Sequence, residues 1–345
     1  MDFSTSLILA QDGLTNSAFY IQMALAIILV FGVTRIILIP QGEFVSFGAL
    51  TLASLQNGEL PGTVWLLLLL TAVAAAMEAY RLLRNDGARA LPGALARIVL
   101  PPVATAAALL YCAPLKLALG WQVLLTMLVV IPLGPLVYRV AFRPLADASI
   151  LVLLIASVAV HFALVGAGLL FFGAEGVRTP PFSEAQFNLG PLAVSGQSLW
   201  VYGISGSFII LLAWFFGRTL YGKALRAVAF NRNGAKLVGI SPGLAGTLAF
   251  ALASAIGCLS GVLIGPITTM YYDSGFLIGL KGFVGAIVGG LASYPLAAAG
   301  ALLVGLVESF SSFFASGYKD VVVFTMIIPI LFWMSLRTVH FEEEE

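Results

Sequence analysis

Few residues in this chain are placed to do chemistry. Gly217 through Lys223 spells G-x-x-x-x-G-K, the spacing with which backbone N–H groups and a lysine cradle phosphates. Ala224 stands where Ser or Thr would hold magnesium, and an apolar run rather than a strand precedes the string. Nucleotide binding is therefore not expected there. Gly203-Ile204-Ser205-Gly206 is a G-x-S-G string, which could present a serine for peptide cleavage within a membrane. Such a serine needs a neighbouring base. His161 precedes the string and His340 lies at the far C-terminal end, so an intramembrane serine protease is only an alternative reading. His161 stands alone in an apolar run and reads as a hydrogen-bonded core histidine. Cys112 and Cys258 form no C-x-x-C, so neither a disulfide framework nor a metal site is indicated.

Ionisable groups inside apolar sequence are more informative, because charge in hydrocarbon is expensive and such groups pair or line polar cavities. Glu43 follows Pro40-Gln41-Gly42. In the first turn of a helix its carboxylate would offset the helix dipole, so cap and pathway residue are both open readings. Lys281 and Glu308 fall in consecutive apolar segments. They read first as an ion pair, with the lining of a polar cavity as the alternative.

The elements that must hold these residues follow from hydropathy. Of 345 residues, 60% are hydrophobic and 10% charged, and the mean hydropathy is +1.04. Soluble domains are about 45–50% apolar and about 25% charged, which excludes a soluble enzyme. A net charge of +1 does not suggest a nucleic-acid partner. Expected spans are about 17–39, 63–83, 97–118, 121–138, 149–173, 198–216, 244–264, 275–292, 297–316 and 320–336. A further apolar piece, about 44–56, is too short to cross alone and begins at the Pro40-Gln41-Gly42 break. The fold class is thus an all-α polytopic membrane protein of about 10 spans plus a short broken or re-entrant helix. Unpaired backbone at the break needs a cavity or a protein partner, so Gln41, Gly42, Glu43 and Ser46 are candidates for a pathway suited to a zwitterionic or uncharged solute. Gly257/Gly261/Gly265 and Gly285/Gly289 have G-x-x-x-G spacing and mark close helix packing.

Sidedness follows from Lys and Arg. Arg81, Arg84, Arg89 and Arg97, then Arg139 and Arg143, then Arg218, Lys223, Arg226, Arg232 and Lys236 occupy loops that fall on one face. Placing these in the cytoplasm fits the span order if 44–56 also crosses most of the bilayer, and then puts the N-terminus outside and the C-terminus, after Arg337, inside. Asp2 and Asp12, with no early Lys or Arg, argue against a cleaved signal. The loop at about 174–197 should form a small external cap, and the Glu342 to Glu345 run a solvated tail. In the stretch 217–243, Leu225, Val228, Ala229 and Leu237 can form an apolar stripe, with Lys223, Arg226 and Lys236 left polar. Small residues, Gly222, Ala224, Ala227, Ala235 and Gly239, recur among the bases and would permit close approach of another protein.

That last string, GRTLYGKALRAVAFNRNGAKLVGIS, resembles the cytoplasmic coupling loop of ABC-importer permeases, most of all the LivH type of branched-chain amino-acid permease. PQGEFVSFGA at 40–49, VYRVAFRPLADASILVLLIAS at 137–157, and the Gly-rich stretch 279–324 support the resemblance. It implies a single permease domain with the ABC importer permease fold in a bacterial-type inner membrane. It implies no cofactor in this chain: ATP and Mg would be bound by two partner ATPase subunits. A second, LivM-like permease and an extracytoplasmic substrate-binding protein would complete the assembly. Branched-chain or other hydrophobic amino acids are the implied substrates, with urea, amides or other small polar solutes the alternative. ATPase coupling would fall to Gly222, Lys223, Arg226, Ala227, Asn231, Ala235 and Gly239. The sequence departs from the family in having Gln41 where His usually precedes Gly-Glu, and in an additional apolar pair at about 63–118.

Overall fold

A computed structural model describes residues 2–84, 91–189 and 192–338. Arg89, His340 and the Glu342 to Glu345 tail lie outside the described residues. The chain is built from helices, in order α1 (Phe3–Thr34), α2 (Glu43–Asn57), α3 (Thr63–Arg84), α4 (Leu91–Cys112), α5 (Leu119–Val130), α6 (Leu133–Val137) and α7 (Ile150–Phe172). A hairpin of β1 (Gln186–Leu189) and β2 (Leu192–Ser195) precedes α8 (Gly196–Arg218). Then come α9 (Leu220–Phe230), α10 (Arg232–Leu237), α11 (Pro242–Ile264), α12 (Ser274–Val288), α13 (Tyr294–Phe314), α14 (Lys319–Thr325) and α15 (Ile327–Thr338).

Among the described residues, nine helical segments are long and apolar enough to cross a membrane. The expected span at 275–292 is the difference. Its helix has 15 residues and rises only about 22 Å, short of the roughly 30 Å hydrocarbon core. It ends where Gly290 and Leu291 take φ values of 60° and 55°, which the α-helix cannot continue through. The chain therefore has a second short apolar helix beside the expected one at 43–57, also of 15 residues. The first helix also departs from its expected 17–39 bounds, running from Phe3 to Thr34. It stops because Arg35 adopts φ 63°. The stretch at about 174–197 contains the β1–β2 hairpin, with Gln186 opposite Ser195.

Two compact units are distinguished. One comprises Leu29–Phe182 and Leu212–Phe276. At its centre α2 is buried along nearly its whole length, and it lies against α11 with no side chain between the backbones. A Cβ on Gly261 would sit 2.0 Å from the Val45 carbonyl oxygen, and one on Gly48 would sit 2.6 Å from that of Cys258. The G-x-x-x-G spacing thus marks a close helix contact in the unit. The other unit comprises Met1–Ile28, Ser183–Leu211 and Leu277–Glu345. Here Gly282 faces Met23 at 2.2 Å, and Gly285 faces Ala301 at 2.7 Å, again measured from an added Cβ.

Candidate functional site

The break between α1 and α2 buries Gln41, Glu43 and Ser46, and most of its polar groups find partners within the unit. Pro40 lacks an N–H, and residues 39–41 form only a single 3₁₀ turn. The Ile39 N–H donates to Ser157 Oγ of α7 at 2.9 Å and to the Ile37 carbonyl at 3.0 Å. Gln41 is fully buried, and its Nε2 donates to the Ala253 carbonyl of α11 at 2.9 Å. Glu43 occupies the first turn of α2, 1% exposed. His161 Nδ1 donates to its Oε1 at 2.6 Å, while Oε2 has no hydrogen-bond partner among the described residues. His161 is thus the hydrogen-bonded core histidine expected. It supplies Glu43 with a partner from α7, and Phe276 stacks on its ring at 4.3 Å.

Sequence reasoning missed what lies on the other side of this break. The start of α12 meets the start of α2. A Cβ on Gly42 would fall 1.9 Å from the Gly275 carbonyl oxygen, and one on Gly275 1.9 Å from that of Gly42. Ser46 Oγ accepts the Gly275 N–H at 2.8 Å. The two short helices therefore bring their N-terminal ends together next to Gly42, one residue before Glu43 in the first turn of α2, where a helix N-terminus suits negative charge. The available signal was Asp273-Ser274-Gly275 after Tyr272, a turn-and-start string: Ser274 Oγ accepts the Tyr271 N–H at 2.9 Å.

Lys281 and Glu308 form their pair in the other unit, Nζ to Oε1 at 2.5 Å. The pair belongs to a larger cluster. Lys281 Nζ also lies 2.9 Å from Asp320 Oδ1, whose side chain is 39% exposed, and the Tyr20 hydroxyl donates to Glu308 Oε2. One ammonium thus serves two carboxylates from α13 and α14. Asp320 and Tyr20 were not singled out in the sequence. Tyr20 sits in an apolar run with no polar neighbour to mark it, and Asp320 reads as a loop charge.

The Ser205 hydroxyl accepts from Gln22 Nε2 at 2.6 Å, and among the described residues His161 is engaged with Glu43 rather than with this serine.

In the basic stretch, a tight reversal after α8 leads into α9. Thr219 caps that helix, accepting the Gly222 N–H at 3.0 Å, and Asn231 caps α10, accepting the Gly234 N–H at 2.8 Å. Leu225, Val228 and Ala235 pack on Leu29, Val33, Ala245 and Ala249, with Ala229 at the edge. Leu237 is a correction to the expected stripe, being 88% exposed. The stripe assumed one helical phase, but the Asn231 cap starts a new helix and turns Leu237 outward with Phe230 and Val238. Gly222 and Ala235 also face this chain: a Cβ on Gly222 would meet the Phe215 carbonyl at 2.3 Å, and Ala235 is core. Lys223, Arg226, Asn231 and Gly239 are exposed and Ala227 is half-buried.

Comparison with known proteins places this geometry in context. A family profile described as "Branched-chain amino acid transport system / permease component" matches residues 96–331. The match takes in the basic stretch, Lys281 and Glu308, while the break at 40–43 precedes it. The high-affinity branched-chain amino acid transport system permease protein BraD of Pseudomonas aeruginosa is 30% identical over 209 residues, 57% of this chain and 67% of the relative. LivH of Escherichia coli K12, named for the same kind of system, is 29% identical over 203 residues, 57% of this chain and 66% of the relative. The chain thus matches about two thirds of the length of these relatives. No solved structure matches it.

Proposed function

The chain belongs to the family of branched-chain amino acid transport system permease components and is a multi-span membrane protein; from that premise we propose that it is the membrane-spanning half of an ATP-driven importer for branched-chain or other hydrophobic amino acids. The observation that carries this reading is the family match over 96–331, which spans the basic stretch. The chain does no covalent chemistry in this scheme. A second, LivM-like permease completes the translocation core, two ATPase subunits bind ATP and Mg, and an external binding protein delivers the solute. The basic loops face the cytoplasm of a bacterial inner membrane, with the N-terminus outside and the C-terminus inside.

The docking face for the ATPase consists of the residues of the basic stretch that point outward: Lys223, Arg226, Ala227, Asn231 and Gly239. Substituting Arg226 tests it directly, since the side chain is exposed and its loss leaves the packed stripe intact. Arg226→Glu should reduce ATP-driven uptake at least about tenfold relative to Arg226→Ala if the partner groove is acidic, because like-charge juxtaposition costs several kcal/mol. Equal uptake in the two variants would move the docking face elsewhere.

Translocation in this reading runs beside the break. Gln41, Gly42, Glu43 and Ser46 are buried in the conformation described here, so they reach the solute when the contact between the two short helices loosens. A thiol in Gln41→Cys should therefore react with a small water-soluble reagent faster in one transport state than in another. Protection in every state would place the pathway elsewhere.

The function itself is tested by reconstituting the chain with its second permease, ATPases and binding protein in vesicles. Leucine uptake should require ATP. Uptake by this polypeptide alone, with no ATPase present, would end the proposal, and uptake of urea or amides in place of leucine would move the substrate to that class.

A further inference from the structure

On the face that carries the basic loops, a pocket of about 230 Å³ opens where two spans end. It is lined by Arg139 and Arg143 from one and by Ser241, Gly243, Leu244 and Thr247 from the start of α11. The span that runs from Leu119 to Leu145 ends here and α11 begins here, so the pocket lies at the depth where a bilayer changes from hydrocarbon to head group. Arg139 sits in a π-helical turn, Tyr138–Phe142, and among the described residues has Arg143 and Arg81 as basic and Glu78 as acidic electrostatic neighbours. Glu78 lies 4.0 Å from Arg81. Neither Arg139 nor Arg143 has an ion-pair partner among the described residues.

We propose that this pocket binds the phosphate head group of an anionic phospholipid. The two guanidiniums that line the pocket, Arg139 and Arg143, repel one another, and a phosphate between them removes that repulsion while accepting the fork of N–H donors that arginine presents. The start of α11 adds partial positive charge: Pro242 has no N–H to offer, but Gly243 does, and the helix behind it has 23 residues. The volume decides the size of the ligand. It falls below the roughly 300–1,000 Å³ of sites that enclose whole small molecules and suits a head group rather than a nucleotide. The lining also has an apolar side: Leu244 is 72% exposed, where an acyl chain would lie. Basic pockets between membrane helices are suited to such head groups. Nothing in this assignment depends on which solute is transported.

The test is native mass spectrometry of the full chain in a neutral detergent, titrated with phosphatidylglycerol or phosphatidylethanolamine of the same acyl chains. Wild type should retain one phosphatidylglycerol in preference to phosphatidylethanolamine. Arg143→Gln should weaken that preference about fivefold and the Arg139→Gln/Arg143→Gln pair about twenty-fivefold, at roughly fivefold per guanidinium. Arg143 is exposed, so its single substitution keeps the question answerable if the double variant does not fold. Inorganic phosphate at millimolar concentration should leave the bound lipid in place. Retention of phosphatidylglycerol unchanged in Arg143→Gln, equal retention of both lipids by wild type, or displacement by inorganic phosphate would each overturn the proposal, the last by showing a soluble-anion site.

Discussion

Gly275→Ala should abolish uptake and sharply reduce the yield of folded protein. The added methyl would lie 1.9 Å from the Gly42 carbonyl oxygen and 2.7 Å from Ser46 Oγ. The nearest obstacle is backbone, so no side-chain rotation relieves the clash. Overpacking a tight interior costs about 1–3 kcal/mol where neighbours can adjust, and here the starts of two helices would have to separate, so a loss at the upper end or beyond is expected. Gly203→Ala is the control: nothing lies within 4 Å of a Cβ at that position, and alanine in a helix is favoured over glycine by roughly 0.5–1 kcal/mol. Fluorescence-detected gel filtration after heating would rank the two variants. If Gly275→Ala matches Gly203→Ala in melting and in uptake, the close approach of the short helices is dispensable.

Lys281→Met should be the next most damaging change, by a different mechanism. Glu308 is buried, and Lys281 is the cation that faces both it and Asp320, at 2.5 Å and 2.9 Å. Removing one partner of a buried ion pair costs about 3–5 kcal/mol, because the charge left behind has lost its compensation. The hydroxyl of Tyr20 remains to donate to Glu308, which is not enough to replace an ammonium. Adding Glu308→Gln removes the stranded charge, so the double variant should be more stable than Lys281→Met alone, with Asp320 left at the more exposed edge of the cluster. Thermal melting of the four proteins in one double-mutant cycle measures this. A double variant less stable than Lys281→Met by the full cost of Glu308→Gln alone would show that the two residues act independently and that the cluster does not hold these helices together.

Much of this architecture was legible in the chain itself, for a physical reason: a bilayer constrains hydropathy and length more strictly than water does. Most of the long apolar runs became long helices, a short helix began after the Pro40-Gln41-Gly42 break although the first had already stopped before Arg35, and the glycine spacing in 257–265 marked a backbone contact. The basic string at 217–243 was also readable as one amphipathic element, since its buried positions repeat at helical spacing. Leu237 defeated that reading only because Asn231, which in sequence looks like any polar residue in a loop, uses its side chain to start a new helix.

What the sequence could not supply were partners distant along the chain. Glu43 and His161 are 118 residues apart, and Gly275 meets Ser46 across 229. Local propensity and hydropathy are sums over neighbouring residues, and they carry no term for which remote segment will satisfy a buried carboxylate or fit against a bare backbone. Composition, period and hydropathy therefore determined that the chain crosses a membrane many times and that a short helix follows the break at Pro40-Gln41-Gly42. Only the folded packing decided that the break is closed by the start of a second short helix, that Glu43 is held by a histidine from α7, and that Lys281 serves Asp320 as well as Glu308. Desolvation makes each unmet polar group expensive, and in a folded chain that expense is settled by whichever group the packing brings within reach.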